Sequence, residues 1–171
     1  METENATCCF FGHRKISEED RLKIKVYEVM ENLILHSGVD TFLMGSKSDF
    51  DLLCREVVSL LKEKYIHIRR IYVPAEYPYI NDDYEKYLLR NCEQTYYPER
   101  LIGAGKAVYV ERNREMIDKS KYCIIYFKDG YLPERRKNNI RDLFDCQSKS
   151  GTEIAYMYAL IKKKTIINVA E

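Results

Sequence analysis

Apolar and polar positions alternate along the chain in blocks that predict strands and helices in turn. Thr7-Cys8-Cys9-Phe10-Phe11 is an apolar run that stops at Gly12, and it predicts a first strand. Gly12-His13-Arg14 then reads as a turn. Ser17-Glu18-Glu19-Asp20 opens a helix, with Ser17 in the N-cap place and Asp20 in the capping-box place. Leu22, Val26, Val29, Met30 and Leu33 recur at helical spacing, and Gly38 marks the stop. Residues 41–44 predict strand two, ending at Gly45. Ser48 and Asp51 repeat the capping pattern, and Leu52, Leu53, Val57, Leu60 and Leu61 form the stripe expected to be buried on a second helix. Residues 67–73 predict a third strand, closed by Pro74.

The second half is less regular. Residues 82–91 predict a helix with Tyr84, Tyr87 and Leu88 on one face, and the rest of 74–106 reads as loop, including Gly103-Ala104-Gly105. The many tyrosines of this stretch can stack on a base, but packing a lid or a subunit interface is their commoner use. Residues 109–118 are densely charged and predict a short helix with Met116 and Ile117 inward. That helix feeds a buried strand over 122–127. A polar loop over 128–149 carries Arg135-Arg136-Lys137, Arg141 and Asp142, with a helical turn around 140–144. Ser150-Gly151-Thr152-Glu153 opens the last helix, with Ile154, Met157, Tyr158 and Ile161 inward, and 165–169 is the last strand.

Strands alternating with helices give an α/β fold with a mostly parallel sheet flanked by helices. At 171 residues the chain is read as one domain spanning 1–171. Charge adds little drive toward polyanions: the net value is +1, so neither nucleic acid nor a membrane surface is an expected partner. No apolar run approaches the roughly 20 residues that cross a bilayer. The polar, acidic start argues against a signal peptide, and a cytoplasmic location is expected. The six cysteines show no CxxC pair; Cys8, Cys54 and Cys123 fall in apolar runs and read as reduced core residues. The three histidines are scattered, so no metal site is expected.

In a parallel sheet, ligands bind beyond the carboxyl ends of the strands. Gly12-His13-Arg14 and Gly45-Ser46 stand at such ends, and Ser150-Gly151-Thr152 opens a helix, where backbone N–H groups favour phosphate. Arg112, Asn113 and Arg114 suit phosphate and ribose hydroxyls, although such a run by itself is most often a solvated helix face. Their joint placement at strand ends is what raises a ligand site above simple capping.

These residues carry a resemblance. Cys8-Cys9-Phe10-Phe11-Gly12-His13-Arg14, then Arg112-Asn113-Arg114-Glu115-Met116-Ile117-Asp118, then Gly151-Thr152 with Tyr156 and Ala159, resemble the SLOG superfamily, which includes YpsA-like proteins and the LOG phosphoribohydrolases. The likeness covers nearly the whole chain and is nearest to the YpsA-like branch. It implies a Rossmann-like three-layer sandwich and a site for a nucleotide or nucleotide-derived ligand. Gln147-Ser148-Lys149-Ser150 replaces the proline and glycines that LOG enzymes carry before the glycine-threonine pair. Ala155 stands where those enzymes have their catalytic glutamate, whereas their arginine has a match in Arg112.

The expected activity is therefore binding of a nucleotide-type small molecule, as a sensor or sequestering protein without catalysis. The alternatives are a nucleotide N-glycosidic hydrolase, with Glu153 or Glu111 replacing the lost acid, and an interaction module with a vestigial pocket. The candidate ligand-binding residues are Gly12, His13, Arg14, Gly45, Ser46, Arg112, Asn113, Ser150, Gly151, Thr152 and Glu153, with no catalytic residue, metal ligand or cofactor assigned. Apolar and tyrosine-rich helix faces also point to a homo-oligomer.

Overall fold

The computed structural model describes residues 5–45, 47–75, 82–131 and 150–170. In chain order the elements are β1 (Ala6–Gly12), α1 (Glu19–His36), β2 (Val39–Met44), α2 (Asp49–Lys64), β3 (Arg69–Tyr72), α3 (Asp82–Leu89), β4 (Gln94–Thr95), α4 (Val108–Asp118), β5 (Tyr122–Tyr126), α5 (Gly151–Ile161) and β6 (Thr165–Asn168). The strands form one sheet in the order β4-β3-β2-β1-β5-β6, and every pairing is parallel. The architecture is a Rossmann-like three-layer α/β sandwich. The chain starts at the centre, runs outward through β2 and β3 to β4, and returns to place β5 on the other side of β1. Strand order thus reverses between β1 and β5, where this architecture opens a crevice at the carboxyl ends.

The two-residue period of the strands builds two cores. Cys8, Phe10, Phe42, Met44 and Ile124 face the layer of α1 and α2, where Val26, Met30, Cys54 and Val57 are fully buried. Cys9, Phe11, Leu43, Cys123 and Ile125 face α4 and α5, meeting Met116, Ile117, Ala155 and Ala159. Side chains buried in this way stabilise the fold by about 1.5–3 kcal/mol each. The five described cysteines, Cys8, Cys9, Cys54, Cys92 and Cys123, are free and buried, and burial pushes the thiols of Cys8 and Cys54 up. Cys9 Sγ lies 3.6 Å from Cys123 Sγ on the neighbouring strand.

Several local expectations are corrected. Ser17 is not the cap of α1; that place belongs to Glu18, in the left-handed region at φ 52° with no side-chain cap. Ser17 Oγ instead lies 3.2 Å from the Tyr126 hydroxyl and accepts from Lys128 Nζ at 3.1 Å. On α2, Leu52 and Leu60 are about half exposed, and Phe50, Cys54 and Val58 complete the buried stripe with Leu53, Val57 and Leu61. On α5, Met157 and Ile161 are exposed, while Thr152, Ala155 and Ala159 face inward. Tyr87 of α3 is exposed, although it stacks on Tyr84 at 6.4 Å between centroids. The stretch read as loop before α4 holds β4 and two short 3-10 turns, Glu99–Leu101 and Gly105–Ala107. The expected basic cluster and helical turn of 132–149 lie outside the described residues. No helix among the described residues is long and apolar enough to cross a membrane.

Candidate functional site

β1 ends where the strand order reverses, and its last residues fix the floor of a cleft. A side chain at Gly12 would collide with the ring of Phe50, the first apolar residue of α2 and fully buried. Glycine at this point lets α2 pack against the strand end. The Asp49 N–H donates to the Arg14 carbonyl at 3.0 Å, and Ser48 Oγ accepts the Asp51 N–H at 3.1 Å. The start of α2 is thereby tied to the turn after β1, as the capping pattern predicts. Gly45, at the end of β2, is also closely packed: a methyl group there would strike the Val73 carbonyl oxygen and come 3.1 Å from Arg112.

Arg112 reaches into that same spot from α4. It is 3 % exposed, its Nη1 donates to the Gly45 carbonyl, and its Nε donates to Asn113 Oδ1 at 2.9 Å. The guanidinium also lies 5.9 Å from the centroid of the Tyr109 ring. Arg112 is thus a strut between α4 and the end of β2 as well as part of the cleft lining.

His13 is 1 % exposed and stacked on Tyr131, with centroids 3.8 Å apart and planes 14° apart. Its Nε2 accepts the Lys128 backbone N–H at 2.8 Å. The same nitrogen lies 3.3 Å from the Lys128 carbonyl oxygen, and Nδ1 is buried with no hydrogen-bond partner among the described residues. Burial lowers the His13 pKa, so the ring stays neutral around pH 7. The histidine therefore holds the turn after β5 against the turn after β1.

The third wall is the start of α5. Ser150 caps it by accepting the Glu153 N–H at 3.1 Å. The N–H groups of Gly151 and Thr152, as first donors of the helix, have no intrahelical acceptor. Gly151 is exposed, and a methyl group there would meet nothing within 4 Å among the described residues.

Together these segments enclose a cleft of about 630 Å³. Gly12, His13, Arg14, Gly45, Arg112, Asn113, Ser150, Gly151 and Thr152 all line it, so three motifs far apart in sequence meet in one place. Ser46 lies outside the described residues. Glu153 does not line the cleft, because its place on the first turn of α5 turns it away. The sequence reading missed Tyr72, Tyr109 and Tyr131 as lining residues, along with Ser48; Lys47, which also lines the cleft, follows Gly45-Ser46 and could supply charge there. Lys47 and Ser48 follow the end of β2 and Tyr131 follows β5, so the strand-end rule applied to every loop finds them. Arg14, Lys47 and Arg112 bring positive charge, and no carboxylate lines the cleft among the described residues. Glu111 is held elsewhere, pairing with Arg114 at 2.7 Å and Arg100 at 3.2 Å. Ala155 is buried in the core beneath α5. No group of three or more metal-ligating side chains occurs among the described residues.

The chain matches no protein-family model, and no curated protein matches it.

Proposed function

We propose that this protein binds a phosphorylated nucleotide or nucleotide-derived small molecule in the cleft at the strand-order reversal, and that it does so as a sensor or sequestering protein without turning the ligand over. The observation that carries this reading is the lining itself: cations, an open helix N-terminus and tyrosine rings, with no carboxylate among the described residues. An anionic group is favoured at the N–H donors of α5, where the helix dipole adds to the charge of nearby cations. Tyr109 and Tyr131 offer flat apolar surface for a base. The cleft lies within the size range of small-molecule sites. The resemblance to the YpsA-like branch of the SLOG superfamily agrees with this assignment. Hydrolysis of an N-glycosidic bond asks for a carboxylate beside the anomeric carbon, and among the described residues Ala155, Glu111 and Glu153 supply none to the cleft.

The test is a melting-temperature panel of nucleoside mono- and diphosphates, the parent nucleosides and inorganic phosphate. A true ligand at 100 times its dissociation constant adds about 2.7 kcal/mol of stability. Stabilisation by phosphorylated nucleotides alone, with no free base released, is the expected result. A panel without any shift sinks the proposal, and steady base release sinks its non-catalytic half.

A further inference from the structure

The cleft runs across the ends of four neighbouring strands, and its two ends are chemically unlike. Adjacent strands lie about 4.8 Å apart, so the steps from β3 through β2 and β1 to β5 span about 14 Å. At the β3 end the lining is Tyr72, Pro74 and Ala75, joined by Tyr84 of α3 and Tyr109 of α4. Tyr109 belongs to this end because its ring lies 5.9 Å from the Arg112 guanidinium, which is anchored on Gly45 where β2 stops. It is 54 % exposed, so its ring has free surface. At the other end stand Arg14 and the first turn of α5, a helix that packs beside β1. Tyr131 is there too, but one face of its ring is taken by His13.

The cations of the lining are not equally available. Arg112 is buried and donates to the Gly45 carbonyl and to Asn113. Lys47 has an interaction of its own. Arg14 is exposed, and its guanidinium has no partner among the described residues. Its backbone is nonetheless fixed: its carbonyl accepts the Asp49 N–H, and His13 before it accepts the Lys128 N–H. The next residue, Lys15, faces Asp49 at 3.7 Å and does not line the cleft. An unengaged guanidinium on a rigid root is well placed to meet the paired oxygens of an anion.

We infer that Arg14 reads the ligand's phosphate, and that the ligand is a mononucleotide lying with its phosphate at Arg14 and its base at Tyr109; this rests on the nucleotide reading of the cleft. Arg112 then holds the wall in place and leaves phosphate recognition to Arg14. A dinucleotide fits less well, because its second base would meet Arg14 and the open donors of α5 in place of a free ring.

Calorimetric titration of the full chain tests it, with nucleoside monophosphates, the parent nucleosides and a dinucleoside diphosphate as probes. The best monophosphate is expected to bind the unmodified protein more tightly than its nucleoside and than the dinucleotide. Arg14→Ala should cost that monophosphate about tenfold to a hundredfold in affinity, the usual worth of a hydrogen bond to a charged group, and so erase the preference for phosphate. Its ligand-free melting temperature should match the parent's, because the side chain it removes is exposed and unengaged. Arg14→Lys should recover part of the preference, and Lys15→Ala should keep all of it. A preference that survives Arg14→Ala, or that Lys15→Ala also removes, overturns the assignment and leaves the nucleotide reading standing. A dinucleotide that binds more tightly than every monophosphate overturns the choice of ligand. Failure of every probe to bind the unmodified protein sinks the nucleotide reading and this assignment together.

Discussion

The cleft has a strand-end wall and a helix-start wall, and glycine stands in both for different reasons. At Gly12 and Gly45 the space for a side chain is already taken, by Phe50 in one case and by the Val73 carbonyl and Arg112 in the other. At Gly151 no described residue comes within 4 Å of that space. The strand-end wall is built by packing, so its residues serve the fold and the site together. The helix-start wall is built by backbone donors that have no intrahelical acceptor, and its glycine is exposed, so that position can change without disturbing the core. A glycine in a motif therefore says that something comes close, but not whether that something is the protein itself.

Four measurements sharpen or break this contrast. Gly45→Ala should be the most damaging change, costing about 3 kcal/mol in urea unfolding, because a carbonyl oxygen and a buried guanidinium must both shift. Arg112→Ala should cost about 2 kcal/mol even without ligand, since it strips the Gly45 carbonyl of its donor. A variant as stable as the parent would return Arg112 to a purely ligand-binding role. His13 should make the strand-end wall sensitive to acid. Its folded pKa is lowered from 6.5 by burial, so the unfolded chain takes up the proton first. Stability is then fully present above about pH 6.5 and lost as pH falls toward the folded pKa. His13→Phe should flatten that slope in a melting series from pH 7.5 to 5, and an unchanged slope assigns it to other groups. Gly151→Ala should have the smallest effect, within about 0.5 kcal/mol of the parent protein. A large loss there would mean that the helix-start wall is as tightly built as the other.

The fold was legible because alternation along the strands is a local signal. Cys8 and Phe10 face one layer and Cys9 and Phe11 the other, as a two-residue period demands. The strand-end sites were legible for a topological reason: parallel strands bring every carboxyl end to one side. What failed was direction around a helix. Leu52 and Leu60 fit a helical stripe as well as Leu53 and Leu61 do, and in α5 nearly every position is apolar, so spacing points nowhere. Ser17 was misread as a cap because its partner, Tyr126, is supplied by a strand far along the chain. The stacking of His13 on Tyr131 was hidden for the same reason, since long-range contacts leave no mark on local pattern.

The buried thiols give the molecule a clock. Cys8 and Cys9 sit on β1 and Cys123 on β5, the two strands that flank the cleft floor, and a labelling reagent cannot touch them while the sheet stays closed. Their rate of modification under native conditions therefore counts how often the centre of the sheet comes apart. Any molecule that holds the turn after β1 to the start of α5 should slow that rate. Compounds can thus be ranked by the protection they give these three sulfurs, before the natural ligand has been identified.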